Sequence, residues 1–318
     1  MSGGGRVLLI VPDRLGDSIL ASGLVAALAE RHGARMVVAG GAAARDLFER
    51  HPLVDAYWVM KKAPRAGHWR ALWARARGER WAAVCDLRGS LTGYALRRGA
   101  FYRHDKRRAA TGDHVVEAHS AVIGGGPYAP DLTGLAWPEP PAWIAEALNG
   151  ARAVAIGPTA GWPWKIWPAA RWAEVQAGLK ARLGENVPFV LLGAPGEEAV
   201  TAPLAEALGE AGLDATGRLG VAETGAVIRA CGVFAGNDSG LMHLAAASGA
   251  KVLGLFGHTR PEEYGPWSRR ARTVVAPSAE QGRVRKAITP PEALALISEI
   301  RPEAVTEALA GLIEDPEI

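Results

Sequence analysis

The chain has 318 residues, 49% of them hydrophobic, and carries 36 Lys and Arg against 33 Asp and Glu for a net charge of +3. That size predicts two domains of about 150 residues each. No uncharged apolar run reaches the roughly 18 residues of a membrane span, and MSGGGRVLLIVPD is too poor in apolar residues for a signal-peptide core, so a soluble, cytoplasmic protein is expected.

In chain order, Arg6 to Pro12 is a continuous apolar run of the kind found in strands buried on both faces. The turn DRLGD follows it, then a helix expected from Ser18 to Glu30 with Leu20, Leu24, Ala27 and Leu28 on one face. Strands are predicted at Met36 to Ala39, Ala56 to Met60 and Ala82 to Leu87, with helices at Ala42 to Arg50 and Trp69 to Arg77 between them. Alternating strands and helices point to a parallel, doubly wound sheet whose ligand-binding loops follow the strands along one edge. Cys85 and Cys231 each sit in apolar strand-like runs, which predicts buried, reduced thiols.

From Lys61 to Arg108 there are fourteen basic residues against Glu79, Asp86 and Asp105, a net charge of about +11 that attracts anionic partners. A solvated helix face is the plain reading; an acidic acceptor or an anionic membrane surface carrying it is the other. A nucleic-acid groove is disfavoured, because Trp69, Trp73 and Trp81 also suit a helix core. Leu91 to Tyr128 gives little pattern beyond a helix expected to start near Asp113. The cluster Pro138, Pro140 and Pro141 between Gly134 and Gly150 marks a linker.

A second alternating half follows. Strands are expected at Ala153 to Ile156, Phe189 to Leu192, Val233 to Ala235, Lys251 to Phe256 and Thr273 to Ala276. Helices are expected at Ala169 to Arg182, Glu198 to Leu208, Glu223 to Ala230, Ser239 to Ala247 and Pro291 to Leu312. The spacing of LLGAPGEE does not match a dinucleotide fingerprint, no P-loop lysine follows a glycine-rich turn, and no zinc-ligand spacing or nucleophile elbow occurs.

Six positions carry the chemistry. GNDSGLMHLAAASGAKVLGLFG places Asp238, Ser239, Gly240 and His243 at a helix start, where unpaired N–H groups attract phosphate. Asp238 could equally cap that helix, and His243 could be a packed core histidine. Asp17 is either an N-cap carboxylate, for which Ser18 is a rival, or a general base. Lys165, flanked by Trp162, Trp164 and Trp167, is either a surface lysine or a cation for a departing pyrophosphate.

Together, RLGDSILASGLVAAL, PTAGWPWKIWPAARWAEV and the NDSGLMH stretch resemble glycosyltransferase family 9, the ADP-heptose:lipopolysaccharide heptosyltransferases. The resemblance implies a GT-B α/β fold with two Rossmann-like doubly wound domains facing across a cleft. Residues 1–145 would bind acceptor, 146–300 nucleotide-sugar, and a terminal helix in 301–318 would pack back on the first domain. It implies an inverting transfer of heptose or a related sugar from an ADP-sugar, with no metal and no cofactor beyond that co-substrate. The acceptor would be the anionic inner core of lipopolysaccharide, used at the inner face of the membrane. Asp17 would be the base, Lys165 the contact to the donor phosphates, and Asp238 the holder of the sugar hydroxyls, with Ser239, Gly240 and His243 beside the pyrophosphate. By position, Thr159 and Gly193 fall to the donor and Arg14 and Arg88 to the acceptor. Ile166 stands where family members often carry a basic residue. A sugar-nucleotide epimerase and a non-catalytic nucleotide-sugar-binding protein are the alternatives on such a scaffold.

Overall fold

The computed structural model describes residues 5–104, 114–280 and 288–316. Asp105, Lys106, Arg107, Arg108, the helix start expected at Asp113 and the glycines at positions 3 and 4 lie outside the described residues. The chain divides into two compact units, Met1–Ala136 and Trp137–Ile318.

The first unit contains β1 (Arg6–Ile10), α1 (Leu15–Leu20), α2 (Gly23–His32), β2 (Arg35–Gly40), α3 (Arg45–Glu49) and β3 (Val54–Val59). It continues with α4 (Gly67–Ala76), β4 (Trp81–Asp86), β5 (Arg98–Arg103) and α5 (Val115–Ile123). All strands are parallel, in the order β3-β2-β1-β4-β5. The unbroken apolar run of β1 follows from burial on both faces. Val7 and Leu9 pack with Leu24, Leu28 and Phe48, whereas Leu8 and Ile10 pack with Trp58, Leu72 and Trp81.

The second unit begins with α6 (Ala142–Leu148), β6 (Val154–Gly157), α7 (Arg171–Leu183), β7 (Phe189–Leu191), α8 (Glu198–Leu208) and β8 (Gly212–Asp214). Then come α9 (Val221–Cys231), β9 (Val233–Asn237), α10 (Gly240–Ala247), β10 (Lys251–Phe256), α11 (Pro261–Tyr264) and β11 (Ala271–Val275). The short α12 (Pro277–Glu280), α13 (Pro290–Ile297) and α14 (Pro302–Glu314) close it. This sheet is also all parallel, ordered β11-β10-β9-β6-β7-β8.

In each sheet the chain winds outward from its first strand, then returns to that strand's other side. The loops after β1 and β4, and after β6 and β9, therefore diverge and leave a crevice at the carboxyl edge, the usual ligand position in open parallel sheets.

Several expectations are corrected. The helix expected from Ser18 to Glu30 is two helices, and at the start of the second the backbone at Tyr128 and Ala129 crosses Gly23 so closely that a Cβ there would lie 2.3 Å from the Tyr128 carbonyl oxygen. The boundary falls nine residues before the expected position, since the proline-rich segment packs into the second unit. Trp137 covers Gly225 of α9, Arg218 lies 3.7 Å over the Trp143 ring, and Ile144 is buried. The single terminal helix is α13 and α14, and the apolar stripe of α14, expected on the first domain, is buried in the second unit. Val305, Leu309 and Leu312 join Leu253, Leu255 and Trp172 in one core.

Candidate functional site

The carboxyl edge of the second sheet, where the order reverses between β6 and β9, brings the sequence motifs together. Asn237, the last residue of β9, is fully buried. Its Nδ2 donates to the Pro158 carbonyl at 2.9 Å and its Oδ1 accepts from the Trp167 N–H at 3.1 Å. One side chain thus ties both ends of the loop carrying Lys165 to the strand beside it. The loop is held from below as well: Trp167 is buried and donates its indole N–H to the Ile300 carbonyl, to which Arg171 also donates.

That anchoring delivers Lys165 to Asp238. Nζ stands 2.5 Å from Oδ2, with the side chains 18% and 7% exposed, so Lys165 is not a solvated surface lysine. The Thr259 hydroxyl, in the turn after β10, donates to the same Oδ2 at 2.8 Å. Both bonds fall on one oxygen, Oδ2. Asp238 caps no helix: the N-cap of α10 is Ser239, whose hydroxyl is buried and has no hydrogen-bond partner. Gly240 opens α10 and His243 lies buried one turn in, so the unpaired N–H groups of this terminus stand beside the Lys165–Asp238 pair. His258 adjoins them. Burial holds its imidazole below the usual histidine range, the Lys165 ammonium adds to that, and Asp238 opposes it.

Thr159, Gly193 and Thr216 converge after β6, β7 and β8. A Cβ on Gly193 would stand 2.8 Å from the Thr216 methyl and 3.5 Å from that of Thr159, so a larger residue would have to displace the Thr216 methyl. Thr159 and Thr216 are buried, and the Thr216 hydroxyl has no partner.

In the first unit the reversal lies between β1 and β4, and an ion pair spans it. Arg88 donates through Nη1 and Nη2 to the two oxygens of Asp13, at 2.7 and 2.9 Å, with its guanidinium 4.7 Å over the Trp69 ring. Asp86, fully buried, accepts from the Arg88 and Ser90 N–H groups and from the Ser90 hydroxyl. Arg88 is therefore committed within the protein; Arg14 is an exposed residue of the loop after β1. Asp17 sits half-buried in the first turn of α1 and is not its N-cap, which is Arg14; the Ser18 hydroxyl donates to the Pro12 carbonyl at 2.7 Å and does not cap either. Among the described residues, no group of three His, Cys, Asp or Glu side chains is placed to hold a metal ion, and no helix is long and apolar enough to cross a membrane.

Asn237, Thr259 and His258 were not singled out from the sequence, whereas Thr216 opens the segment Thr216 to Glu223 assigned by position, with Leu192 and Gly193, to the adenine and ribose. Thr259 and His258 follow an identifiable strand at the edge already assigned to ligands, and that position is the signal that finds them. Asn237 stands inside the motif, two residues past the strand expected at Val233 to Ala235, and the structure makes it the last residue of β9.

Residues 128–291 match the family described as Glycosyltransferase family 9 (heptosyltransferase). Lipopolysaccharide heptosyltransferase 2 of Salmonella typhimurium is 31% identical over 157 residues, covering 48% of this chain and 44% of that protein. Lipooligosaccharide heptosyltransferase 2 of Haemophilus influenzae is 29% identical over 155 residues, with the same coverage. The matched region thus spans less than half the length of these curated relatives. Among solved structures, a family 9 glycosyl transferase from Veillonella parvula has a TM-score of 0.76 at 20% identity, covering 98% of this chain and 97% of that one. The ADP-heptose lps heptosyltransferase II of E. coli has a TM-score of 0.75 at 22% identity, covering 98% and 100%. At these identities the likeness establishes the two-domain α/β GT-B fold.

Proposed function

The chain belongs to glycosyltransferase family 9, and from that premise we propose that it transfers a heptose, or a closely related sugar, from an ADP-sugar to an anionic lipopolysaccharide inner-core acceptor. The observation that carries this reading is the Lys165–Asp238 pair at the start of α10, a cation and a carboxylate held together where helix N–H groups are unpaired. A nucleoside diphosphate needs the first and the helix terminus; a sugar with several hydroxyls needs the second. Thr159, Gly193 and Thr216 would accommodate the nucleoside, with the Thr216 hydroxyl satisfied by a ligand polar group.

The reaction is a single inverting displacement. The Asp17 carboxylate takes the proton of an acceptor hydroxyl as its oxygen bonds to the anomeric carbon. The bond from that carbon to the diphosphate oxygen breaks, and ADP departs with its new charge on Lys165 and the α10 terminus. The anomeric centre carries oxocarbenium character in between, and Asp238 holds the sugar by its hydroxyls. The residues thus supply proton removal, charge stabilisation and orientation, without assigning a step to a metal.

Incubation with ADP-heptose and a Kdo-containing lipid A acceptor, followed by mass spectrometry of both substrates, tests this. Acceptor gaining one heptose supports transfer. Isomerised donor would mark an epimerase, and donor bound but unchanged would mark a binding protein.

A further inference from the structure

An open cavity of about 460 Å³ lies in the first unit, outside the crevice between β1 and β4. Glu30, in the last turn of α2, lines it, as do His51 and Pro52, which lead into β3. The cavity therefore flanks the helical layer and reaches toward the amino edge of the sheet, whereas ligands of the parallel sheet itself sit at the carboxyl edge.

One wall is α2. Ser22, its N-cap, has helical backbone angles (φ −63°, ψ −31°), so Ser22, Ala26 and Glu30, spaced four residues apart, project from one face. All three line the cavity, together with Ala27. Ala26 and Glu30 are exposed, whereas Ser22 is 2% exposed and its hydroxyl has no hydrogen-bond partner. A ligand polar group would supply the partner that this buried hydroxyl lacks. At about 1.5 Å per residue, Ser22 and Glu30 lie about 12 Å apart along the helix, and the surface between them is Ala26 and Ala27.

The rest of the lining adds a second carboxylate. Asp131 is exposed, and its Oδ1 accepts from the Thr133 N–H and hydroxyl at 2.8 and 2.6 Å, which fixes its position. The His51 Nδ1 accepts from the Leu53 N–H at 3.2 Å. Burial holds that ring below the usual histidine range, against Asp131 and with the help of Arg35, so it is uncharged at neutral pH. Arg35 itself is paired with Asp55. Among the described residues, no lysine or arginine lines the cavity, and Glu30, His51 and Asp131 are not grouped to hold a metal ion.

We infer that this cavity binds a linear aliphatic polyamine, one ammonium donating to the Ser22 hydroxyl, others meeting Glu30 and Asp131, and the methylene chain lying over Ala26 and Ala27. Two carboxylates without a lining cation exclude an anion. Their separation excludes a compact metal ion, which needs several oxygens around one point. The apolar strip disfavours a sugar, whose hydroxyls would lose water there without partners. The inference is independent of which sugar the second unit holds.

The test is titration calorimetry of the full chain with spermidine in about 0.15 M NaCl. One site with Kd below about 1 mM is expected, weakened about tenfold in Glu30→Gln/Asp131→Asn. Ala26→Arg, four residues from Glu30, sets a guanidinium beside that carboxylate and should abolish binding. Both variants change exposed side chains, and their urea unfolding should match that of the unaltered chain. A comparison that needs no variant is 1,8-octanediol, which has similar length and no charge and should not bind. No binding of spermidine, unchanged affinity in either variant, equal affinity for the diol, or displacement of spermidine by equimolar Mg²⁺ overturns the proposal.

Discussion

Lys165 and Asp238, 73 residues apart in the chain, form an ion pair with Nζ 2.5 Å from Oδ2 in the crevice between β6 and β9. The pair ties the two loops together and, in the proposed reaction, must open on one side. A donor diphosphate shares the ammonium, and Asp238 turns to the sugar.

Replacing Lys165 by Ala removes the cation that meets the leaving diphosphate and strands a buried carboxylate. Turnover should fall by about 100-fold or more, and equilibrium unfolding in urea should register a loss of about 1–3 kcal/mol from the uncompensated Asp238. Asp238→Asn keeps the shape and should lower kcat without that loss of stability. An unchanged rate and ADP affinity in Lys165→Ala would remove the phosphate role.

Asn237 separates positioning from chemistry. Asn237→Ala leaves the Trp167 N–H and the Pro158 carbonyl without their partner, at a cost of about 2–4 kcal/mol for two buried groups. Because the loop it releases carries Lys165, the KM for donor should rise together with the loss of stability. A variant that is destabilised but binds donor normally would limit Asn237 to the fold.

Asp17 occupies the first turn of α1 without capping it. In Asp17→Ala, kcat should fall between about 100-fold and 10,000-fold. Donor affinity, measured by titration calorimetry, should not move. A large stability loss with modest kinetics would return Asp17 to a structural role.

His119, on α5, gives a pH signature. Burial lowers its imidazole to about 4, although the Leu20 carbonyl favours the charged ring. A depressed histidine means that the unfolded chain binds the proton first, so stability holds above pH 6.5 and drains away as pH falls from there toward 4. The loss from this one group is on the order of 3 kcal/mol. Denaturant unfolding at pH 7 and pH 4.5 should show a smaller drop in His119→Gln than in the unaltered chain; equal drops would mean that the ring is not the group responsible.

Much of the fold is legible because parallel strands buried on both faces have to be unbroken apolar runs: RVLLI and KVLGLF predict β1 and β10 directly. β5 is hidden by its position. It is an edge strand, and Arg98, Gly99 and Arg103 suit an exposed edge while erasing the apolar signal. β8 has three residues and too little pattern to register. Lys165 and Asp238 were legible because each lies in a local motif at a strand end. Asn237, whose partners lie 70 and 79 residues away, was not, because nothing within its own segment records that its amide joins β9 to the loop after β6.

The central claim is that the Lys165–Asp238 crevice binds an ADP-sugar whose sugar is then transferred. The most direct measurement is the initial rate of ADP release from ADP-heptose, with and without Kdo-lipid A, in the unaltered chain and in Lys165→Ala. Release should require acceptor and fall by about 100-fold or more in Lys165→Ala. Release at the same rate without acceptor, or in Lys165→Ala, would contradict it.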